Sequence, residues 1–87
     1  MEESKDSFKL IAFVKTSCGK CEVFKRDYLP KIKEKHKVQL MNMDSLAGLT
    51  EAAFYDVHRA PILVKVEEGK PVKFWESFLE AMRDLGV

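Results

Sequence analysis

The sequence predicts an α/β fold whose elements follow the order β-α-β-α-β-β-α. The unbroken apolar run at residues 10–14 is typical of a strand that is buried on both faces, and the largely apolar residues 62–66 are typical of a second buried strand. Each of the first two strands is followed by apolar residues at helical spacing, and a Gly-containing turn joins the last two strands. Strands joined through a helix pair in parallel, whereas strands joined by a hairpin are antiparallel. We therefore expect a four-stranded mixed sheet with helices on both faces.

The length and composition are those of one compact domain. The chain has 87 residues, of which 46% are hydrophobic and 33% are charged, as in ordinary globular proteins. Residues 8–87 are expected to form this domain. Residues 1–7 are expected to be a flexible tail, because Met1 is their only large apolar side chain.

Charge and hydropathy argue against several classes of partner. Fifteen Lys and Arg residues against fourteen Asp and Glu residues give a net charge of +1, which provides no one-signed field for binding nucleic acid or an anionic membrane. No apolar run approaches the roughly 18 residues that span a bilayer, and the amino terminus has no signal-peptide pattern. We therefore expect a cytoplasmic protein.

The first strand, residues 8–14, leads into the first helix. The apolar face of that helix has spacings of three, four and four residues and consists of Cys21, Phe24, Tyr28 and Ile32. Pro30 interrupts the helix, because its nitrogen has no hydrogen to donate to the carbonyl of Arg26. We therefore expect a kink near Leu29.

The second strand, residues 37–43, is followed by Asp44 and Ser45, which are residue types that cap helices. The second helix is expected to have an apolar face with the same spacings, formed by Leu46, Leu49, Ala53 and Val57. Gly48 weakens the first turn of this helix.

A hairpin and a final helix complete the domain. Residues 62–66 and 71–75 are the strands of the hairpin, and the turn between them contains Gly69. Ser77 is expected to cap the last helix at its start, and Gly86 at its end. The apolar face of this helix consists of Phe78, Met82 and Leu85. Core packing is expected to explain most of the methionines and other aromatic residues, including Phe24, Tyr28, Phe54 and Phe74.

Two cysteines three positions apart, Cys18 and Cys21, are the most informative feature of the sequence. Cys18 falls at the start of the first helix, where unpaired amides and the helix dipole favour a thiolate, so we expect it to attack disulfides. Cys21 lies one turn further on the apolar face, so we expect it to be more buried and to displace the product. A disulfide across four residues stabilises a fold by only about 2 kcal/mol, so redox chemistry explains the spacing better than a structural staple.

Other interpretations of the cysteines stay open. A structural C-x-x-C segment is one of them. A zinc site would need two further ligands, and the spacing of His36 and His58 departs from the usual zinc patterns. An iron-sulfur or other soft-metal carrier could use the same two cysteines, with thiolates from two subunits sharing the ligand shell.

The order of the motifs resembles that of the thioredoxin and glutaredoxin superfamily. A strand precedes a C-x-x-C segment that opens a helix, and Pro61 precedes the first strand of a terminal ββα unit. The resemblance covers residues 8–86. Lys15, three positions before Cys18, is similar to a lysine of glutaredoxins, and Ala12 stands where thioredoxins carry a buried Asp. The resemblance thus indicates a thioredoxin-like fold and a glutaredoxin-like protein.

The resemblance also implies a substrate site beside the dithiol. Pro61 is expected to be cis, and the backbone of Ala60 is expected to pair with a substrate cysteine. Lys15 is expected to receive a glutathione carboxylate, and Arg59 to assist in binding a carboxylate. Lys20 is expected to belong to the same substrate-binding set. Lys15 and Lys20 are expected either to act electrostatically on the attacking thiolate or to be solvated charges.

The expected function is thiol-disulfide exchange with disulfide-bearing proteins or small molecules. The expected reductant is glutathione or a flavoprotein disulfide reductase, and no metal or tightly bound organic cofactor is expected. The protein is expected to be a monomer that takes part in cell redox homeostasis and electron transport. Trp75 is expected either to pack beside the dithiol or to contact a protein partner.

Overall fold

The computed structural model describes residues 8–87, so the flexible tail predicted for residues 1–7 lies outside the described residues. Within residues 8–87, four strands and three helices follow the predicted order. The strands are β1 (Phe8–Val14), β2 (Val38–Asn42), β3 (Ile62–Glu67) and β4 (Lys70–Trp75). The first helix consists of α1 (Gly19–Val23), a π-helical segment (Phe24–Tyr28) and α2 (Leu29–Lys33), and the other helices are α3 (Leu46–Phe54) and α4 (Phe78–Leu85).

The strands form one mixed sheet in the order β2-β1-β3-β4. β1 runs parallel to β2, with Leu10 opposite Val38, and antiparallel to β3, with Ile11 opposite Val64. β3 and β4 form the antiparallel hairpin. β1 has a neighbour on each side and lies in the middle of the sheet, and its apolar run at residues 10–14 is buried. The predicted four-stranded mixed sheet is confirmed.

Helices cover both faces of the sheet, as predicted. The first helix and α4 pack on one face, where Leu10 shares a core cluster with Phe24 and Ile32. On the other face Ile11 shares a second cluster with Ala52 of α3. None of the helices between residues 8 and 87 is long and apolar enough to cross a bilayer.

Pro30 changes the hydrogen bonding of the first helix. Its nitrogen has no hydrogen for the carbonyl of Arg26, and its ring would crowd that carbonyl in a regular α-helix. The helix therefore widens before Pro30, and the N–H of Leu29 donates to the carbonyl of Phe24, five residues earlier. The sequence predicted a kink near Leu29, and the structure has the irregularity directly before that residue, over Phe24–Tyr28.

α3 turns a different face to the core from the one that the sequence predicted. Leu46 and Leu49 are 82% and 55% exposed, whereas Gly48 and Ala52 are buried. A side chain at Gly48 would collide with the backbone carbonyl of Asn42, the last residue of β2. The helix therefore lies closely against the end of β2 at the one residue without a side chain, and its leucines point away.

Exposure corrects three further predictions about apolar residues. Ala53, which was predicted to lie on the apolar face of α3, is exposed. Val57 is the one buried residue of that predicted face, and it lies after the end of the helix. Phe54 and Phe74 are 71% and 44% exposed, so the predicted core packing is wrong for both. Phe54 follows Ala53 on the outer side of α3, and Phe74 belongs to β4, an edge strand with a neighbour on one side only.

α4 begins and ends at the predicted residues. The side chain of Ser77 accepts a hydrogen bond from the N–H of Glu80, and Gly86 has a φ of 75°. This left-handed conformation favours glycine, so Gly86 ends the helix as predicted. Phe78 of the predicted apolar face is buried, and Met82 is half-buried.

Candidate functional site

The two cysteines lie at the carboxyl end of β1. The chain leaves β1 at Val14, turns through Ser17, which has a φ of 55°, and enters α1 with Cys18 as the N-cap residue. The Sγ atom of Cys18 accepts the N–H of Cys21 at an N···S distance of 3.2 Å. The two residues form a disulfide, with their Cα atoms 5.2 Å apart. The predicted position of Cys18 at the start of the helix is confirmed.

The two sulfur atoms differ in accessibility. Cys21 is fully buried in the core cluster that also contains Phe24 and Ile32. Its Sγ atom accepts the backbone N–H of Lys15 at 3.4 Å. Cys18 is only half-buried. A substrate can therefore reach the sulfur of Cys18 more easily than that of Cys21, in agreement with the predicted difference in burial.

Side chains at the end of β2 and just after it hold the turn before the cysteines in place. The carboxylate of Asp44 accepts the backbone N–H of Thr16 at 2.8 Å, and the amide of Asn42 donates to the hydroxyl of Thr16 at 3.2 Å. These contacts connect the turn to the start of α3, because the carboxyl ends of the parallel strands β1 and β2 meet at one edge of the sheet. Sequence reasoning treated Asp44 only as a capping residue and missed this contact.

A groove of about 370 Å³ is lined in part by Lys20, which lies between Cys18 and Cys21 in the sequence. The Ala60–Pro61 peptide bond at its side is cis, as the sequence predicted, and leads into β3. Three parts of the chain line the groove: Lys20, Val23 and Tyr28 from the first helix, Arg59, Ala60 and Pro61 from the segment before β3, and Glu76 and Phe78 from the junction of β4 and α4. The groove is therefore built from segments that are far apart in the sequence.

The structure brings together most of the residues that the sequence predicted to bind substrate. Lys20, Arg59, Ala60 and Pro61 all line the groove. Lys15 does not line it, although its backbone contacts the buried sulfur. Sequence reasoning missed the apolar wall of the groove, formed by Val23, Tyr28 and Phe78, because the same helical spacing also serves ordinary core packing.

Arg59 is already paired inside the groove. Its guanidinium lies 3.2 Å from one carboxylate oxygen of Glu76 and 3.3 Å from the other. Lys20 also lines the groove and forms no ion pair with any residue in the described part of the chain. The charged groups of the groove are thus one ion pair and one separate ammonium group.

Trp75 packs in the core on the same side of the sheet as the dithiol. It is 3% exposed and belongs to the cluster that contains Cys21 and Phe78. Its indole N–H donates to the carboxylate of Asp84 at 2.9 Å, which satisfies its only polar group. Of the two roles that the sequence left open, this burial favours packing over contact with a partner.

The described residues offer no complete metal site within one chain. Among residues 8–87, no three side chains of His, Cys, Asp or Glu come together in a way that could hold a metal ion. The Nε2 atom of His36 is 3.0 Å from the carbonyl of Leu85, and that of His58 is 2.8 Å from the carboxylate of Asp56. A soft metal bound at the two cysteines would therefore need ligands from outside residues 8–87.

Comparisons with known proteins identify the fold. No family model matches the sequence, and no curated protein matches it. Among solved structures, the thioredoxin of Fasciola hepatica is 19% identical with a TM-score of 0.78, over 93% of this chain and 80% of that one. A thioredoxin of Nicotiana alata is 18% identical with a TM-score of 0.74, over 92% of this chain and 71% of that one. A thioredoxin pre-protein of Schistosoma mansoni is 19% identical with a TM-score of 0.71, over 94% of this chain and 79% of that one.

The similarity extends over nearly the whole described chain, and it includes the mixed sheet and the three helices. The chain therefore has the thioredoxin fold. It is a thioredoxin-fold protein that carries a C-x-x-C disulfide where the first helix begins.

Proposed function

We propose that this protein is a dithiol-disulfide oxidoreductase that reduces disulfides of proteins or small molecules through Cys18 and Cys21. The arrangement of the two sulfur atoms carries the proposal. Cys18 is half-buried at the start of α1, and Cys21 is buried and bonded to it. One sulfur is accessible to a substrate, and the second is in place to release the product.

The reaction consists of two exchanges. The Cys18 thiolate attacks one sulfur of the substrate, the substrate S–S bond breaks, and the other substrate sulfur leaves as a thiolate that takes up a proton from water. Cys21 gives up its proton to water, and its thiolate then attacks the sulfur of Cys18 and displaces the second substrate thiolate, which is protonated in turn. The substrate has gained two electrons, and the protein is left with the Cys18–Cys21 disulfide.

Backbone donors at both sulfur atoms support this chemistry. The N–H of Cys21 donates to Cys18, and the N–H of Lys15 donates to Cys21. Hydrogen bonds to a charged acceptor are stronger than those to a neutral one, so these N–H groups favour a thiolate over a thiol. The exchange needs a thiolate at each step, first at Cys18 and then at Cys21.

A purely structural disulfide is a weaker explanation of the same geometry. The bond closes a loop of only four residues, and in the chain-entropy model such a bond contributes about 2 kcal/mol. Cys18 is half-buried rather than buried, and Lys20, between the two cysteines in the sequence, lines a groove. An accessible disulfide beside a groove suits exchange with a substrate better than it suits a staple.

The proposed cycle requires a reductant outside the chain. Glutathione or a flavoprotein disulfide reductase would return the disulfide to the dithiol, and the exchange itself uses no metal or organic cofactor. We place the protein in the cytoplasm, where such reductants operate, as a monomer acting in cell redox homeostasis and electron transport. Its partners are disulfide-bearing proteins or small molecules rather than nucleic acid or membranes, in keeping with a net charge of +1.

The alternative function is that of an iron-sulfur or soft-metal carrier using the same cysteines. Because one chain supplies only these two thiolates, the carrier would need a second subunit to complete the ligand shell. Colour in the purified protein, or dimerisation on addition of iron, would favour it over exchange.

The proposed function predicts a reversible redox couple. We expect the Cys18–Cys21 pair to equilibrate with glutathione buffers at a potential between about −270 and −180 mV, the range of proteins that exchange disulfides. The fraction of reduced protein would be measured by trapping free thiols with an alkylating reagent and quantifying the alkylated protein by mass spectrometry. A folded protein whose cysteines stay reduced across this range would contradict the proposal.

A further inference from the structure

An ion pair occupies the polar part of the groove beside the dithiol. Arg59 comes from the segment before β3, and Glu76 follows the last residue of β4, so the pair joins two of the three segments that line the groove. The guanidinium lies 3.2 Å and 3.3 Å from the two carboxylate oxygens of Glu76. Both carboxylate oxygens therefore lie at the guanidinium group.

This pair determines what the guanidinium can offer a substrate. Arginine N–H groups bind carboxylates, so a free Arg59 would attract an anionic group in the groove. Glu76 occupies that position with a carboxylate of the chain itself. The two side chains are 72% and 56% exposed, so a substrate can reach them, but an anionic substrate must first displace Glu76.

Apart from Lys20, the rest of the groove favours uncharged groups. Its wall is formed by the side chains of Val23, Tyr28 and Phe78 together with Ala60 and Pro61. These side chains offer apolar surface, which gains free energy when a substrate covers it. Lys20 is the one remaining charged group among the residues that line the groove.

We propose that Glu76 is a specificity-determining residue. By pairing with Arg59 it makes the protein reduce anionic disulfides more slowly, relative to neutral ones, than it would with an unpaired arginine. The inference rests on the proposed exchange function and names the substrate class of the same site. In either case Cys18 and Cys21 are oxidised to the disulfide, and the substrate disulfide takes up two electrons and two protons to become two thiols. Glutathione disulfide has more carboxylates than ammonium groups and therefore falls in the disfavoured class.

The test uses two small disulfides that differ mainly in charge. Bis(2-hydroxyethyl) disulfide is neutral, and dithiodiglycolate carries two carboxylates. The protein is reduced beforehand and mixed with each disulfide. Samples are quenched with acid at successive times and their thiols are alkylated, which gives the rate constant of a single turnover. The quantity of interest is the ratio of the anionic to the neutral rate constant, because a general loss of activity cancels in it.

Glu76→Gln is expected to raise this ratio about two- to fivefold at low ionic strength, the size of effect that exposed charge pairs have. The gain is expected to shrink at about 1 M salt, where charges are screened beyond about 3 Å. In the double variant Arg59→Gln/Glu76→Gln the gain is expected to disappear, because no guanidinium is left to bind the anion. A merely structural role of Glu76 would change neither the ratio nor its salt dependence in this way.

Glu67→Gln is the matched control. It removes the same charge and breaks a partly exposed ion pair with Lys65, with an N···O distance of 3.5 Å. Glu67 pairs with Phe8, at the end of β1 opposite to the dithiol. This variant is expected to have the same ratio of rate constants as the parent protein. If its ratio rises as much as that of Glu76→Gln, the effect comes from net charge alone and the inference is overturned.

The remaining outcomes separate the inference from the proposed function. If the parent protein and Glu76→Gln reduce both disulfides with the same ratio, the role of Glu76 is overturned and the exchange function stands. If the gain survives in the double variant, Glu76 does not act through Arg59 and the inference is overturned. If the folded parent protein reduces neither disulfide, the exchange function fails and the inference fails with it.

Discussion

Replacing Cys18 with serine is expected to lower disulfide exchange at least about a thousandfold, because the variant lacks the accessible nucleophile. Replacing Cys21 with serine is expected to have a different result. The Cys18 thiolate still attacks, but no second thiolate displaces the product, so the reaction stops at the mixed disulfide. The two variants therefore distinguish the attacking cysteine from the one that releases the product.

Mass spectrometry after exposure to a disulfide substrate measures this difference. Cys21→Ser is expected to gain the mass of one substrate thiol less two hydrogen atoms at Cys18, and Cys18→Ser is expected to gain none. The double variant Cys18→Ser/Cys21→Ser serves as the blank for non-covalent adducts. A trapped adduct at Cys21 in Cys18→Ser would reverse the assignment, since the buried sulfur would then be the one that attacks.

Trp75→Ala is expected to lower the free energy of unfolding by about 3–5 kcal/mol, as is typical when a large buried aromatic side chain is removed. Trp75 is 3% exposed and shares its cluster with Cys21 and Phe78, so its loss leaves a cavity on the dithiol side of the sheet. The change also removes the donor to Asp84. Urea denaturation at equilibrium, followed by circular dichroism, would measure it.

Phe74→Ala provides a matched control for this prediction. Phe74 is the preceding residue of the same strand, but its side chain is 44% exposed. Its replacement is expected to cost about 1 kcal/mol or less, as is usual for substitutions near the surface. A Trp75→Ala variant that is as stable as Phe74→Ala would contradict a core role for Trp75. Trp75→Phe keeps a ring in the cavity and is expected to remain folded should the alanine variant unfold.

The features of the fold and of the site that depend on a short stretch of sequence could be predicted from the sequence. The apolar run in β1 and the hairpin turn each contain their own signal, so the order of elements and the mixed sheet follow from local patterns. The position of Cys18 at the start of the helix is also local, because the apolar spacing begins at Cys21. The caps at Ser77 and Gly86 depend only on residue type and position.

The orientation of α3 could not be read from spacing alone. Its sequence has apolar residues on more than one side, and the longest regular series includes Leu46 and Leu49, which the structure exposes. The deciding residue is Gly48, because only a residue without a side chain can lie against the carbonyl of Asn42. Sequence reasoning counted Gly48 as a weakness of the helix, since its contact with β2 exists only in the folded chain.

The polar contacts of the site were out of reach for a similar reason. Arg59 and Glu76 are 17 residues apart, and Thr16 and Asp44 are 28 residues apart. No local pattern joins residues at such separations, and one sequence does not reveal which charged side chains meet in the fold. The sequence could therefore name Arg59 as a substrate-binding candidate, but it could not show that a carboxylate of the same chain is its partner.

The measurement that tests the exchange function most directly is the number of thiols that the reduced protein releases from a neutral disulfide. Fully reduced protein would be mixed without oxygen with excess bis(2-hydroxyethyl) disulfide, and both the released thiols and the mass of the protein would be determined. If Cys18 and Cys21 act as a dithiol, each chain releases two thiol molecules and loses the mass of two hydrogen atoms as its disulfide forms. A folded protein that releases no thiol and keeps both cysteines reduced would contradict the account.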